Sequence, residues 1–215
     1  MPTILLTGFE PFGGEAVNPS WEAVRQLDGW ECRGHCVAAR LMPCVFGASL
    51  DALDLAVAET DPLALLGVGQ AQSRAELSLE RVAVNLDDAR IPDNAGNQPV
   101  DAPVVAGGPA AYFASLPVKA IAAALRDAGI PAALSHSAGS FVCNHLFYGA
   151  CHLRATRRPA MRVGFLHIPL APEQAVRHPG SPSMAIEQVV AGLRIAVETI
   201  LTTAEDRYEV AGTLE

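Results

Sequence analysis

The chain has 215 residues, of which 50% are hydrophobic and 18% charged, and its mean hydropathy is +0.24. That much apolar material sustains a sizeable core and excludes an intrinsically disordered chain. A formal net charge of −8 argues against a polyanionic partner, because nucleic-acid binders need a basic stripe to displace counterions.

Residues 3–7 form a short apolar run ending at Gly8, the pattern of a buried strand. After a loop over 9–19, the sequence predicts a short helix over 21–27, with Asn18 as N-cap and Pro19 at the first helical position. Residues 35–41 read as a second strand. Phe46, Leu50, Leu53 and Val57 then recur at spacings of 4, 3 and 4, one face of a helix. Residues 63–68 are continuously apolar, as in a buried strand, and 77–85 alternate as in a half-buried one. The stretch 86–108 is rich in Asp, Asn, Pro and Gly, and loops of that length are often functional.

Val118, Ile121, Leu125 and Ala128 mark a further helix, stopped by Gly129 and Pro131. Residues 132–136 form a short strand, Gly139 a turn, 142–156 a helix and 162–168 a strand. Ser183 is the expected cap of a long final helix carrying Ile186, Val189, Val190, Leu193, Val197 and Ile200 on one face. Alternating strands and helices predict an α/β protein, a three-layer α/β/α sandwich with a mostly parallel twisted sheet. No repeat or linker interrupts it, so residues 1–215 are read as one domain.

The chemistry concentrates around Cys143. A buried strand runs through Ser135, His136, Ser137, Ala138 and Gly139 into a helix that starts within a residue or two of the cysteine. Backbone N–H groups and the dipole at a helix start favour negative charge, so they act to lower a thiol's pKa and can hold an oxyanion. The alternative is a buried, inert cysteine. His167 ends a strand just before Pro169, where α/β sheets place their sites, although a satisfied core histidine fits the same pattern. Glu80 sits among Leu77, Leu79 and Val82, where a carboxylate is costly unless it is paired. An imidazolium or a basic neighbour would serve.

Other features weigh less. The loop Gly8–Gly14 matches no phosphate-binding pattern, and its Phe9 and Phe12 can wall a small apolar pocket. Gly67, Gly69 and Gln70 hint at a dinucleotide turn that lacks its third glycine. His145 and His152 are seven apart, too far for an i, i+4 metal pair, and are read as structural. Arg154, Arg157, Arg158 and Arg162 around Pro159 read as a solvated helix end. No apolar run reaches the roughly 18–20 residues of a membrane span. The N-terminus lacks a signal-peptide pattern. Five cysteines without a CxxC pair fit a reducing cytosol, so a cytoplasmic location is expected.

Taken together, these segments resemble the pyroglutamyl-peptidase I family, the pyrrolidone-carboxylate peptidases. The likeness runs through residues 5–14, Asn18 to Trp21, residues 67–70 with Arg74, residues 79–82, and residues 88–94 with 96–99. It continues in Ala138-Gly139, Cys143-Asn144, residues 167–169 and residues 182–184. The resemblance implies Cys143 as nucleophile, His167 as general base and acid, and Glu80 as the carboxylate that orients it. It further implies that Phe9, Phe12, Phe141 and Val142 line a pocket for the five-membered lactam, with Asn18 and Gln70 at its polar edge and Arg90 near the oxyanion. The implied activity is that of a cysteine exopeptidase releasing N-terminal pyroglutamate from peptides through a thioacyl-enzyme. The family expectation is a homotetramer with no cofactor and no metal, acting on peptides with N-terminal pyroglutamate, with no nucleic-acid or membrane partner. The alternatives are a nucleoside phosphorylase-like transferase, which needs a phosphate site, and a non-catalytic peptide-binding protein on the same scaffold.

Overall fold

The computed structural model describes residues 1–212. One seven-stranded sheet forms the middle layer. In chain order its strands are β1 (Thr3–Phe9), β2 (Glu31–Cys32), β3 (His35–Met42), β4 (Ala64–Gln70), β5 (Leu77–Glu80), β8 (Ala132–Ser135) and β9 (Arg162–Ile168). They lie in the order β2-β3-β1-β4-β9-β5-β8, while β6 (Val82–Val84) and β7 (Ala111–Phe113) form a separate two-stranded sheet.

Strand side chains alternate between two cores. Ile4, Leu6, Leu66, Val68, Leu166 and Ile168 face a layer built from α1 (Pro19–Val24), α3 (Val118–Asp127) and α6 (Ile186–Thr202). Leu5, Leu65, Val163 and Phe165 face α2 (Ala48–Thr60) and α4 (Val142–Thr156). The period of two that sends neighbours to opposite faces, with both faces covered, makes this the expected three-layer α/β/α sandwich. No helix among the described residues is long and apolar enough to cross a membrane.

Several local expectations are matched. Asn18 caps α1, its Oδ1 accepting from the Ser20 N–H at 3.0 Å with Pro19 at the helix start. The bounds of α4 and β9 are those read from the sequence. Others are corrected. Residues 77–85 are not one half-buried strand. All four residues of β5 are buried in the main sheet, and past Arg81 the chain leaves it to pair with β7. Ser183 does not cap the last helix; it bridges Leu170, and α6 starts at Ile186 behind Ala185. A four-residue helix, α5 (Pro172–Ala175), had no signal in the sequence. Phe46 precedes α2 and packs elsewhere.

The direction of two strands matters most for the site. β1, β3, β4 and β9 run parallel, but β5 is antiparallel to β9, and β8 is parallel to β5. Ser135, the end of β8, is level with Glu80, which pairs with Phe165 and not with the end of β9. Cys143 is therefore not delivered by a strand running alongside His167, as a wholly parallel sheet would require. Residues 136–141 carry the chain onward to the start of α4.

Candidate active site

Register explains why a glutamate and a histidine 87 residues apart meet. Glu80 is opposite Phe165 across the antiparallel β5–β9 pair, and His167 is opposite Ser78. Glu80 and His167 are thus diagonal neighbours on one face, within reach of long side chains. His167 Nδ1 and Glu80 Oε1 lie 2.8 Å apart, both side chains buried. With Nδ1 donating to the carboxylate, Nε2 is the free edge of the imidazole. The ring packs edge-on against Phe165, with centroids 5.1 Å apart.

The same face of β4 carries Gly67 opposite Phe165 and Gly69 opposite His167. These glycines make no dinucleotide turn; they lie inside a strand and leave room. A Cβ on Gly67 would come 2.6 Å from the Phe165 ring, and one on Gly69 would come 2.7 Å from Cys143 Sγ. The sulfur therefore rests against the strand beside His167. Cys143 and His167 line one cleft of about 390 Å³ with Phe12, Gln70, Arg74 and Phe141.

The start of α4 is held from several sides. Asn144, fully buried, accepts from the Val84 N–H and donates to the carbonyls of Val84 and Leu86. His145 Nε2 accepts from the Gly47 N–H at 3.0 Å, which fixes its tautomer and leaves Nδ1 to donate to Asp87 at 2.7 Å. Both His145 nitrogens are thereby committed, in line with its structural reading, and His152 pairs with the Tyr112 hydroxyl. Phe141, the N-cap, makes no side-chain cap, so the first-turn N–H groups are left for another acceptor.

The 86–108 segment is pinned to this assembly. Asp93 accepts from the backbones of Phe46, Ala95 and Asn97 and from the Asn97 side chain, and Asn94 donates to the Pro11 carbonyl. Burial acts to raise the Asp93 pKa, but those hydrogen bonds outweigh it and hold the carboxyl below its ordinary range. The ring of Phe46 then stands edge-on to both Phe141 and His145, at 5.4 and 5.3 Å.

The thiol departs from the expected electrostatics. Burial pushes the Cys143 pKa above its ordinary value, and Cys44 and Glu80 add to the rise. Desolvation can move a buried group by about 3–5 units. A helix terminus supplies at most about 2 kcal/mol, roughly 1.5 units. Burial and the helix start thus act in opposite directions on Sγ, and His167 is the group placed to take its proton as it attacks. Glu80 receives its second partner from Arg74, whose guanidinium lies 3.6 Å from Oε1 and donates to the Ser135 hydroxyl at 2.8 Å. Glu80 Oε2 is buried without a hydrogen-bond partner among the described residues, so His167 and Arg74 carry the compensation for its charge.

The remaining sequence candidates separate into two groups. Phe12, Phe141 and Gln70 line the cleft, the two rings 6.1 Å apart. Phe9 and Val142 are core residues beneath it, and Phe9 packs against Phe165 at 6.3 Å. Asn18 uses its amide on Ser20 and the Glu10 carbonyl, holding the loop that presents Phe12. Arg90 is exposed on an adjoining groove that shares Ala71 and Ser73 with the cleft. His136 is exposed and outside the cleft lining. In the sequence Arg74 stands out only as part of a motif; its signal is an arginine six residues before a glutamate in an apolar strand. Among the described residues no group of three His, Cys, Asp or Glu side chains could hold a metal ion.

The likeness to known proteins agrees with this geometry. A sequence model described as pyroglutamyl peptidase matches residues 2–203. The pyrrolidone-carboxylate peptidases of Cupriavidus taiwanensis and Chromobacterium violaceum are each 57% identical to the chain, over the full length of both partners. The crystal structure of pyroglutamyl peptidase I from Bacillus amyloliquefaciens superposes with a TM-score of 0.94 at 45% identity, covering 96% of this chain and 100% of that one. A mutant pyrrolidone carboxyl peptidase from Pyrococcus furiosus gives 0.91 at 41% identity, over 93% and 98%. With a cysteine and a histidine at one cleft, a buried carboxylate behind the histidine, and matches that span the chain, this protein belongs to the pyroglutamyl peptidase family.

Proposed function

We propose that the chain works as a cysteine exopeptidase through Cys143, His167 and Glu80, releasing the N-terminal pyroglutamyl residue of peptides. The observation that carries the assignment is the 2.8 Å pairing of His167 with buried Glu80 at a cleft that also exposes Cys143.

The chemistry follows from these groups. As Sγ attacks the pyroglutamyl carbonyl, its proton passes to His167 Nε2, and Glu80 stabilises the imidazolium that forms. The N–H groups at the start of α4, Cys143 among them, hold the developing oxyanion. Collapse of the tetrahedral intermediate breaks the C–N bond, and His167 returns the proton to the departing amine. Water, deprotonated by the same imidazole, then attacks the thioester, releases pyroglutamate and restores the thiol. Such constellations are recognised by role, whatever their order along the chain.

The cleft suits an uncharged lactam. Phe12 and Phe141 supply apolar walls, Gln70 a polar edge, and about 390 Å³ accommodates the ring and part of the next residue. Phe9 and Val142 support those walls from beneath, Asn18 holds the Phe12 loop, and Arg90 on the adjoining groove lies where the peptide beyond the ring can pass. Family membership removes the ground for a phosphorylase-like transferase. The free cysteines support a reducing, cytoplasmic setting. The homotetramer that the family resemblance implies is to be checked by light scattering.

The test is turnover of a chromogenic pyroglutamyl amide beside the matching prolyl amide, which lacks the lactam oxygen and carries a protonated ring amine in place of the neutral lactam N–H. Hydrolysis of the first and not the second is expected. Equal rates, or none with either, would remove the assignment.

A further inference from the structure

Behind Gln70 lies a second glutamine, Gln174, fully buried although α5, which carries it, is a short turn. Its amide can sit only one way round. Oε1 accepts from the Ala171 backbone N–H at 3.0 Å, a donor that cannot exchange roles. Nε2 therefore faces the other way, among Gln70 Oε1 at 3.2 Å, the Val17 carbonyl at 3.2 Å and Glu15 Oε2 at 3.3 Å. All three are acceptors, and reversing the amide would set oxygen against oxygen at each. Glu15 is itself held in place by Arg177 and by His178.

That polarity passes to the next amide. With Oε1 of Gln70 committed to Gln174, its NH₂ group is the end left over, and it has no protein acceptor among the described residues. Gln70 lines the cleft that contains Cys143 and His167. We infer that Gln174 is a positioning residue for substrate recognition: it fixes the Gln70 side chain so that the cleft offers an N–H donor, and not a carbonyl, to the lactam oxygen of the pyroglutamyl ring. The inference rests on the proposed function and adds the source of its selectivity. An unrestrained glutamine amide turns over readily. Half of its orientations would present an oxygen to an oxygen, and a buried polar group left so loses binding by about 10–100-fold.

The test compares Q174E and Q174M with the unmodified enzyme. In Q174E, assayed on the alkaline side so that the carboxyl beside Glu15 is ionised, one oxygen still accepts from Ala171 while the other can only accept, so Gln70 must reverse. The KM for a pyroglutamyl amide should rise about tenfold or more, with most of the loss in KM and not in kcat. Q174M, close in shape and without polarity, should give an intermediate loss of about threefold. A structural role alone would not produce that ordering. Binding is read separately, as protection of Cys143 from iodoacetamide by 2-pyrrolidone, the bare lactam. Protection should weaken in Q174E by the same factor as KM, while the alkylation rate without ligand stays as in the unmodified enzyme. A second copy of the Q174E measurement with E15Q added removes the repulsion between two carboxylates, and the loss should persist. Unchanged lactam protection in Q174E overturns the inference, as does full recovery in the double variant. If Q174E fails to fold, Q174M decides alone, and unchanged protection there has the same meaning. Absence of turnover in the unmodified enzyme would instead remove the proposed function, leaving the lactam-protection result to judge the amide.

Discussion

Replacing Gly69 by alanine probes the site at the point where the sheet meets the sulfur. The new Cβ would stand 2.7 Å from Cys143 Sγ and 2.9 and 3.1 Å from two atoms of the Phe165 ring. Non-bonded atoms of this size settle at about 3.5–4.0 Å. The sulfur must therefore yield by roughly 1 Å or the strand must bow. β4 is held by β1 on one side and β9 on the other, so the sulfur is the softer party. Overpacking of this kind costs about 1–3 kcal/mol of stability. A displacement of roughly 1 Å at a reacting atom costs about 100-fold in rate. G69A should thus fold with a lowered melting temperature and lose about two orders of magnitude in kcat/KM toward a pyroglutamyl amide. G149A is the control. Its Cβ would run into Leu50 Cδ2, a closer intrusion than at Gly69, between α2 and α4 but away from the cleft. It should share the loss of stability while its folded fraction keeps its rate. Equal kcat/KM in G69A and the unmodified enzyme would refute the placement of the sulfur against β4.

Further outcomes follow from the same geometry. E80Q should retain the fold and lose about 10³–10⁴-fold in kcat, since an amide beside Nδ1 can neither stabilise the imidazolium nor hold the tautomer; pre-steady-state kinetics would show whether acylation is the step affected. R74M withdraws the second partner of a buried carboxylate, and a smaller, several-fold loss of kcat is expected in the same assay. In H167A the thiol loses its proton acceptor; because burial raises its pKa, iodoacetamide at neutral pH should modify Cys143 more slowly than free cysteine, with the rate still climbing above pH 9, the ordinary thiol value. Asp93 is the opposite case: its folded pKa lies below the ordinary 3.8, so its contribution is present above that value and lost as pH falls through the depressed one. The melting temperature of D93N should accordingly fall short of the unmodified protein's at neutral pH, and the gap should close on acidification.

The elements that carry the chemistry were the ones most legible in the sequence. β9 is a nearly continuous apolar run and α4 follows a glycine turn, and Asn18-Pro19 announces its helix through capping chemistry that needs no tertiary context. Legibility failed where distant partners decide. Residues 77–85 alternate as one strand would, but the Arg81 carbonyl is taken by the Ala114 N–H, and Val82 to Val84 pair with β7. No local signal reports a partner some 30 residues away. The antiparallel run of β5 is equally invisible, yet it makes Glu80 and His167 diagonal neighbours. The helix-start argument for Cys143 leaves out the opposing desolvation, because burial is a property of the packed whole. Gln174 was missed for a related reason: four residues of helix give no periodicity, and the importance of its amide lies in contacts 104 and 159 residues away.

The most direct measurement is intact-mass analysis of enzyme quenched during turnover of a slow pyroglutamyl ester. A species heavier by one pyroglutamyl acyl group should appear, map to the peptide containing Cys143, and be absent from C143A, which should be inactive. Turnover without that adduct, an adduct mapped to another residue, or a C143A variant that still hydrolyses the substrate would contradict attack by this sulfur.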